Sequence, residues 1–136
     1  KRLSKAEAQS GLNFSAPETI AQYYMEDMRH RKKEALKLLL LNMKTKLIGE
    51  SELSLGTINT TLVSPREVFA EALRRNAAAV ILLHNHPSGD PTPSREDVLA
   101  TRRVIDAGKI IGIELLDHII IGDNCFISLR DKGFFK

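Results

Sequence analysis

Two spacings of apolar residues succeed one another along the chain, and together they predict alternating helices and strands. Helical spacing puts Val68, Phe69, Ala72 and Leu73 on one stripe of a helix from Pro65 to about Asn76. A second stripe, Val98, Thr101, Val104 and Ile105, predicts a helix from Arg95 to about Ala107, ended by Gly108. An earlier helix is expected from Pro17 to about Met28. All three starts read as capping boxes: Ser15-Ala16-Pro17-Glu18, Ser64-Pro65-Arg66-Glu67 and Ser94-Arg95-Glu96-Asp97. In such a box the serine hydroxyl accepts from the N3 amide, and the N3 carboxylate reaches back to the N-cap amide.

Short apolar runs supply the strands. Ala35 to Asn42 contains the run Leu38 to Leu41, and Asn42-Met43-Lys44-Thr45 turns it into a second strand, Lys46 to about Leu53. Gly56 to Val63, rich in Thr and Ile, reads as a third. Ala77 to His84 has the pattern of a strand covered on both faces. Leu115 to Ile121 joins Cys125 to Leu129 through Gly122-Asp123-Asn124 as a terminal hairpin. The expected fold class is therefore α/β, a mixed β-sheet flanked by helices. Residues 35–136 read as the domain itself, and residues 1–34 as an N-terminal helical extension.

Composition then narrows the class. The chain has 136 residues, 43% hydrophobic and 27% charged, which suits one globular domain. A single cysteine, Cys125, excludes an internal disulfide and favours a reducing, cytoplasmic setting. It lies in an apolar segment and reads as buried and inert. No apolar run approaches the ~20 residues that span a bilayer, so no membrane association is expected. The first residues lack both an initiator methionine and the apolar stretch of a signal peptide, so the chain reads as a fragment of a longer protein.

Charge adds one feature. The net charge of +3 is uneven, with Arg29-His30-Arg31-Lys32-Lys33 in one block. A solvated connection between elements is the ordinary reading of such a block, and a phosphate footprint the sharper one. Aromatic residues make up 5% of the chain and there is no Trp, so stacking platforms for single strands are scarce.

Candidate chemistry sits after the buried strand, in His84-Asn85-His86-Pro87-Ser88-Gly89-Asp90-Pro91-Thr92-Pro93-Ser94-Arg95-Glu96-Asp97. Residues two apart on a strand project to one face, so both imidazoles could meet one ion. The loop brings the next helix back over the strand end, where Asp97 can add a carboxylate oxygen. Two nitrogens and one oxygen with a fourth position open is the layout of catalytic zinc. Taken alone, His-x-His is a weak signal, and the serine box recurs at two other helices.

Resemblance sharpens this reading. His84-x-His86, seven residues, Ser94, two residues and Asp97 is similar to the motif of the JAMM (MPN-plus) metalloproteases. Gly56-Thr57, Pro65-Arg66-Glu67, the His84 to Ser94 segment and Leu116-Asp117-His118 resemble the RadC family in particular, over about Leu36 to Leu129. The resemblance implies a JAMM/MPN (cytidine-deaminase-like) architecture, and a helix-hairpin-helix domain upstream to which residues 1–34 would be the linker. It also implies Zn2+ held by His84, His86 and Asp97, with Ser94 stabilising an oxyanion. The general base implied is a glutamate at the start of the first core strand, where Glu34 stands, with Glu50 and Glu52 as competitors. The implied activity is zinc-dependent hydrolysis of a peptide or protein amide.

Other zinc chemistries fit worse: one cysteine cannot supply a deaminase's Cys pair, and no His-Glu-x-x-His helix is present. The alternative of a different class is a DNA-associated scaffolding module with a weakly active or vestigial zinc site. Arg74-Arg75 and Arg102-Arg103 would join the basic block on its phosphates. His118 reads by default as a packed or exposed histidine outside the site.

Overall fold

Every residue of Leu36–Leu41, LKLLLL, is buried, and such a strand is stable only inside a sheet covered on both faces. The computed structural model describes residues 14–53 and 63–135. Among them five strands form one mixed sheet: β1 (Leu36–Leu41), β2 (Leu47–Leu53), β3 (Ala79–Asn85), β4 (Glu114–Ile121) and β5 (Phe126–Ser128). Their spatial order is β2-β1-β3-β4-β5. β1 is antiparallel to β2 and β3, β3 and β4 are parallel, and β5 returns antiparallel on β4. The expected strand at Gly56 to Val63 lies outside the described residues except for Val63, which is buried.

Three helices cover the sheet: α1 (Pro17–Arg29), α2 (Pro65–Arg74) and α3 (Arg95–Ile111). The alternation of side chains along β1 divides the core in two. Leu36, Leu38 and Leu40 pack with Val68, Phe69 and Ala72 of α2 and Ala100, Val104 and Ile105 of α3. Leu39 and Leu41 pack with Ile20, Tyr24 and Met28 of α1 on the other face. The α/β class and the mixed sheet flanked by helices are as the sequence pattern indicates. No helix among the described residues is long and apolar enough to cross a membrane.

Several local expectations need correction. The third helix does not end at Gly108 but runs to Ile111, with Gly112 as a left-handed cap at φ 90°. Gly108 instead allows a close approach, since a Cβ there would lie 2.4 Å from the Ile113 carbonyl oxygen. Of the three capping boxes, only that of Ser94 closes. Ala16, not Ser15, is the N-cap of α1, so Glu18 is one position short of N3. Ser64 does occupy the N-cap of α2, but its hydroxyl makes no cap bond, and Pro65 at N1 already removes one orphan amide. Leu73 is 57% exposed: Val68, Ala72 and Phe69 span ~100° of the inward face of α2, and Leu73 lies ~40° beyond its edge. Cys125 is exposed, just before β5, rather than buried.

The two glycines of α3 should respond differently to alanine. Gly108→Ala forces a methyl against backbone that cannot swing aside, and should lose about 1–3 kcal/mol of stability in urea titrations. Gly112→Ala meets nothing within 4 Å and should lose only the ~1 kcal/mol of a left-handed alanine. Equal losses would contradict the close packing at Gly108.

Candidate metal centre

β1 begins where β3 ends, because the strands are antiparallel and Leu36 pairs with His84. That edge of the sheet collects the candidate residues. His84 ends the apolar run of β3, and His86 follows two residues later, with the two Nε2 atoms 3.1 Å apart. The loop after His86 leads into α3, whose first turn returns Asp97 to the same edge. His86 Nε2 lies 3.1 Å from Asp97 Oδ2, and His84 Nε2 lies 3.5 Å from Asp97 Oδ1. Glu34 precedes Leu36 by two residues, and its Oε1 is 3.6 Å from His84 Nε2 and 3.9 Å from His86 Nε2.

Local chemistry fixes each group. Ser94 Oγ accepts from the Asp97 amide at 3.0 Å, and the Ser94 amide donates to Asp97 Oδ2 at 2.8 Å. The serine is an acceptor in this box, so its hydroxyl proton remains available to a further partner. His86 Nδ1 donates to the Asp90 carbonyl at 2.9 Å, so Nε2 donates toward Asp97 when the ring is protonated and offers its lone pair when the ring is neutral. Asp90 is itself held by the Thr92 amide at 3.0 Å and hydroxyl at 2.7 Å. The His86 amide bonds the Ile121 carbonyl at 2.9 Å, tying the loop to the end of β4.

Burial sets the charges. Desolvation pushes the His84 pKa down to about 4, so the ring is neutral. Desolvation likewise pulls His118 well below the ordinary histidine value. The Asp97 hydrogen bond raises His86 in spite of its partial burial. Burial alone would raise Asp97, but the His86 hydrogen bond, the nearby imidazoles and the Ser94 amide outweigh it and keep the carboxylate ionised.

The competing glutamates lie on the opposite face. Glu50 pairs with Leu39 and Glu52 with Lys37 across β1 and β2, so both follow the α1 side of the sheet. Glu50 accepts from Lys37 Nζ at 2.7 Å and from the Tyr24 hydroxyl at 2.9 Å, and Glu52 accepts from Arg31 at 2.9 Å. Glu34 is the glutamate that the described structure brings to the histidines.

The donor set fits a zinc ion. Glu34, His84 and His86 each offer one atom within 4.8 Å of the others, and Asp97 lies closer to the imidazoles than Glu34 does. Zinc bonded to N and O at ~2.0–2.1 Å in a tetrahedron separates its ligands by ~3.3 Å. The 3.1 to 3.5 Å contacts among His84, His86 and Asp97 bracket that spacing.

Sequence reasoning missed three residues at this site. His118 is 3% exposed and its Nε2 lies 2.7 Å from His84 Nδ1. Its other nitrogen is 2.6 Å from the Thr101 hydroxyl. The third is Asn85, between the two histidines and 1% exposed. The available signal was a polar residue inside an apolar strand or stripe, because buried polar groups are hydrogen-bonded to something.

Comparison with known families matches residues 14–134 to the RadC-like JAB domain. The chain belongs to that family. It is 52% identical over 133 residues to a UPF0758 protein of Bacillus cereus, covering 98% of this chain and 59% of the relative. A UPF0758 protein of Caldanaerobacter subterraneus is 53% identical over 127 residues, 92% of this chain and 54% of the relative. One from Desulforamulus reducens is 51% identical over 133 residues, 98% and 59% of the two chains. The chain thus spans well under two thirds of these relatives, whose name states no activity.

Asn85 explains how Glu34 is held. Its Oδ1 accepts from the Ala35 amide at 2.7 Å and its Nδ2 donates to the Lys33 carbonyl at 3.1 Å, so one side chain brackets Glu34 through the backbone. Asn85→Ala leaves a buried amide and a carbonyl without these partners, and about 1–3 kcal/mol of stability should disappear in a denaturant titration. A change below ~0.5 kcal/mol, typical of surface substitutions, would show that the bracket is dispensable.

Proposed function

We propose that this RadC-like JAB domain is a zinc-dependent hydrolase that cleaves an amide bond in a peptide or protein. The observation that carries the reading is the convergence of His84 Nε2, His86 Nε2 and Asp97 within 3.1 to 3.5 Å, with Glu34 behind them at 3.6 and 3.9 Å. His84, His86 and Asp97 are the ligands. Asp97 is the third ligand rather than Glu34 because it is nearer, is 2% exposed, and is fixed by the Ser94 amide. Bound zinc supplies Lewis acidity, polarising a carbonyl and lowering the pKa of a water toward ~7.

The protein's own groups do the rest. Glu34 Oε1 takes a proton from the attacking water, whose oxygen bonds to the carbonyl carbon. Ser94 donates its hydroxyl hydrogen to the oxygen on which negative charge builds. The carbon–nitrogen bond breaks as Glu34 returns its proton to the leaving amine, giving a carboxylic acid and a free amine.

The basic block also bears on the alternative, a DNA-associated scaffold. Arg29 pairs with Glu26 and Asp123, and Arg31 with Asp27 and Glu52, so these guanidinium groups already face carboxylates. Lys32 and Lys33, both exposed, would have to carry much of the phosphate contact. Salt-dependent DNA binding weakened uniformly by Lys32→Ala and Lys33→Ala would favour that class.

The deciding test measures zinc content and peptide hydrolysis together. Purified protein should hold roughly one zinc per chain by the three-ligand logic, and lose it in His84→Ala, His86→Ala and Asp97→Asn. Chelation should abolish hydrolysis and added zinc restore it. Glu34→Gln should keep the metal while turnover falls by ~10²–10⁴. Ser94→Ala should keep it with turnover down by ~10²–10³. Stoichiometric zinc in the double histidine variant would sink the assignment, and full activity in Glu34→Gln would remove the base.

A further inference from the structure

We infer that Thr101 and His118 are positioning residues that fix the tautomer of His84, holding its proton on Nδ1 and turning the Nε2 lone pair toward His86 and Asp97. The direction of the chain of hydrogen bonds follows from one group that can only accept. Thr101 Oγ1 lies 2.6 Å from the carbonyl oxygen of Asp97, one turn earlier in α3. A carbonyl has no proton to give, so the hydroxyl donates and its single hydrogen is used there.

The same Oγ1 is 2.6 Å from His118 Nδ1. With its hydrogen committed, the oxygen can only accept, so His118 carries its proton on Nδ1. A neutral imidazole has one N–H, and His118 Nε2 is therefore a lone pair. That lone pair lies 2.7 Å from His84 Nδ1, which must donate. His84 Nε2 is left without hydrogen, 3.1 Å from His86 Nε2 and 3.5 Å from Asp97 Oδ1. Thr101, His118 and His84 are 1%, 3% and 5% exposed, so bulk water has little access to replace a lost link.

Two residues therefore act on the candidate ligands from behind. Asp97 contributes a carboxylate to the site and, through its carbonyl, sets which way the neighbouring imidazole presents itself. The opposite tautomer would aim an N–H at the same point and block it as a ligand. Loss of partners of this kind typically weakens a metal site 10- to 100-fold, as an order of magnitude (~10–100). This consequence rests on the zinc reading, while the proton's position on His84 does not.

The test separates the two. Long-range 1H–15N spectra of the metal-free protein, labelled with 15N, report which nitrogen of His84 is protonated. Zinc affinity is read by competition with a chromogenic chelator. Wild type and Thr101→Ser, which keeps the hydroxyl, should both show the Nδ1-protonated form and equal zinc affinity. Thr101→Val should shift His84 toward Nε2 protonation and weaken zinc by ~10–100-fold. His118→Phe keeps an aromatic ring and removes the acceptor, should weaken zinc comparably, and serves if the valine variant fails to fold. An Nε2-protonated His84 in wild type, or unchanged zinc affinity in a folded Thr101→Val or His118→Phe, would overturn the inference. Wild-type protein that binds no zinc refutes the metal reading, and the metal-free spectra then decide the tautomer on their own.

Discussion

Asp97 is 2% exposed, and a carboxylate at that depth is tolerable only when donors or cations surround its oxygens. The Ser94 amide donates to Oδ2, the protonated His86 ring meets the same oxygen, and the Nε2 atom of His84 lies 3.5 Å from Oδ1. This one requirement joins parts of the chain that are distant in sequence. The end of β3 must present two imidazoles, the proline-rich loop must return to that edge, and α3 must start with its first turn over it. A helix starting one residue later would turn the carboxylate by ~100° and strand the charge. The closed capping box at Ser94 is what fixes that start, and the first turns of α1 and α2, which hold no such group, do without one.

The leucine-rich sheet enforces the rest. Leu36, Leu38 and Leu82 leave little room for water around the base of the site, so polar groups behind the histidines must satisfy one another. Asp117 shows the same rule at the next position of β4. It accepts from the His118 amide, the Ser128 hydroxyl and the Arg130 amide, and burial still raises its pKa. Asp117 and Ser128 face the α1 side of the sheet, and on the other side Asp97, Thr101, His118 and His84 form a continuous polar seam between the sheet and α3. Its members sit on rigid strands and a helix rather than on loops, which suits groups whose directions matter.

Much of this was legible in the sequence because period and punctuation agree. The six-residue apolar run of β1, the buried run before His84 and the turn at Asn42 each carry a local signal, and each element forms within a residue or two of its expected place. The two histidines, Ser94 and Asp97 share a short segment, so spacing alone suggested they could meet. What was not legible depended on contacts between distant segments. Gly108 looks like a helix terminator until Ile113 and Phe69 are seen to crowd it. His118, 34 residues from His84, joins the site only through the parallel pairing of β3 and β4. Thr101 was rightly placed on the buried stripe, yet the stripe says nothing of what its hydroxyl touches.

The basic block illustrates how placement changes the meaning of charge. Read along the chain, Arg29 to Lys33 is a run of cations that could meet phosphate. In the fold, Arg29 reaches Asp123 in the turn between β4 and β5, and Arg31 reaches Glu52 on β2. Exposed pairs of this sort contribute about 0–1 kcal/mol each, so they are no great source of stability. Their effect is geometric. Asp123 also donates its amide to the Gly89 carbonyl, in the loop that presents His86. Arg29 therefore links the segment leading to Glu34 with the loop leading to Asp97. The segment before Glu34 and the loop after His86 thus share one anchor in the β4–β5 turn.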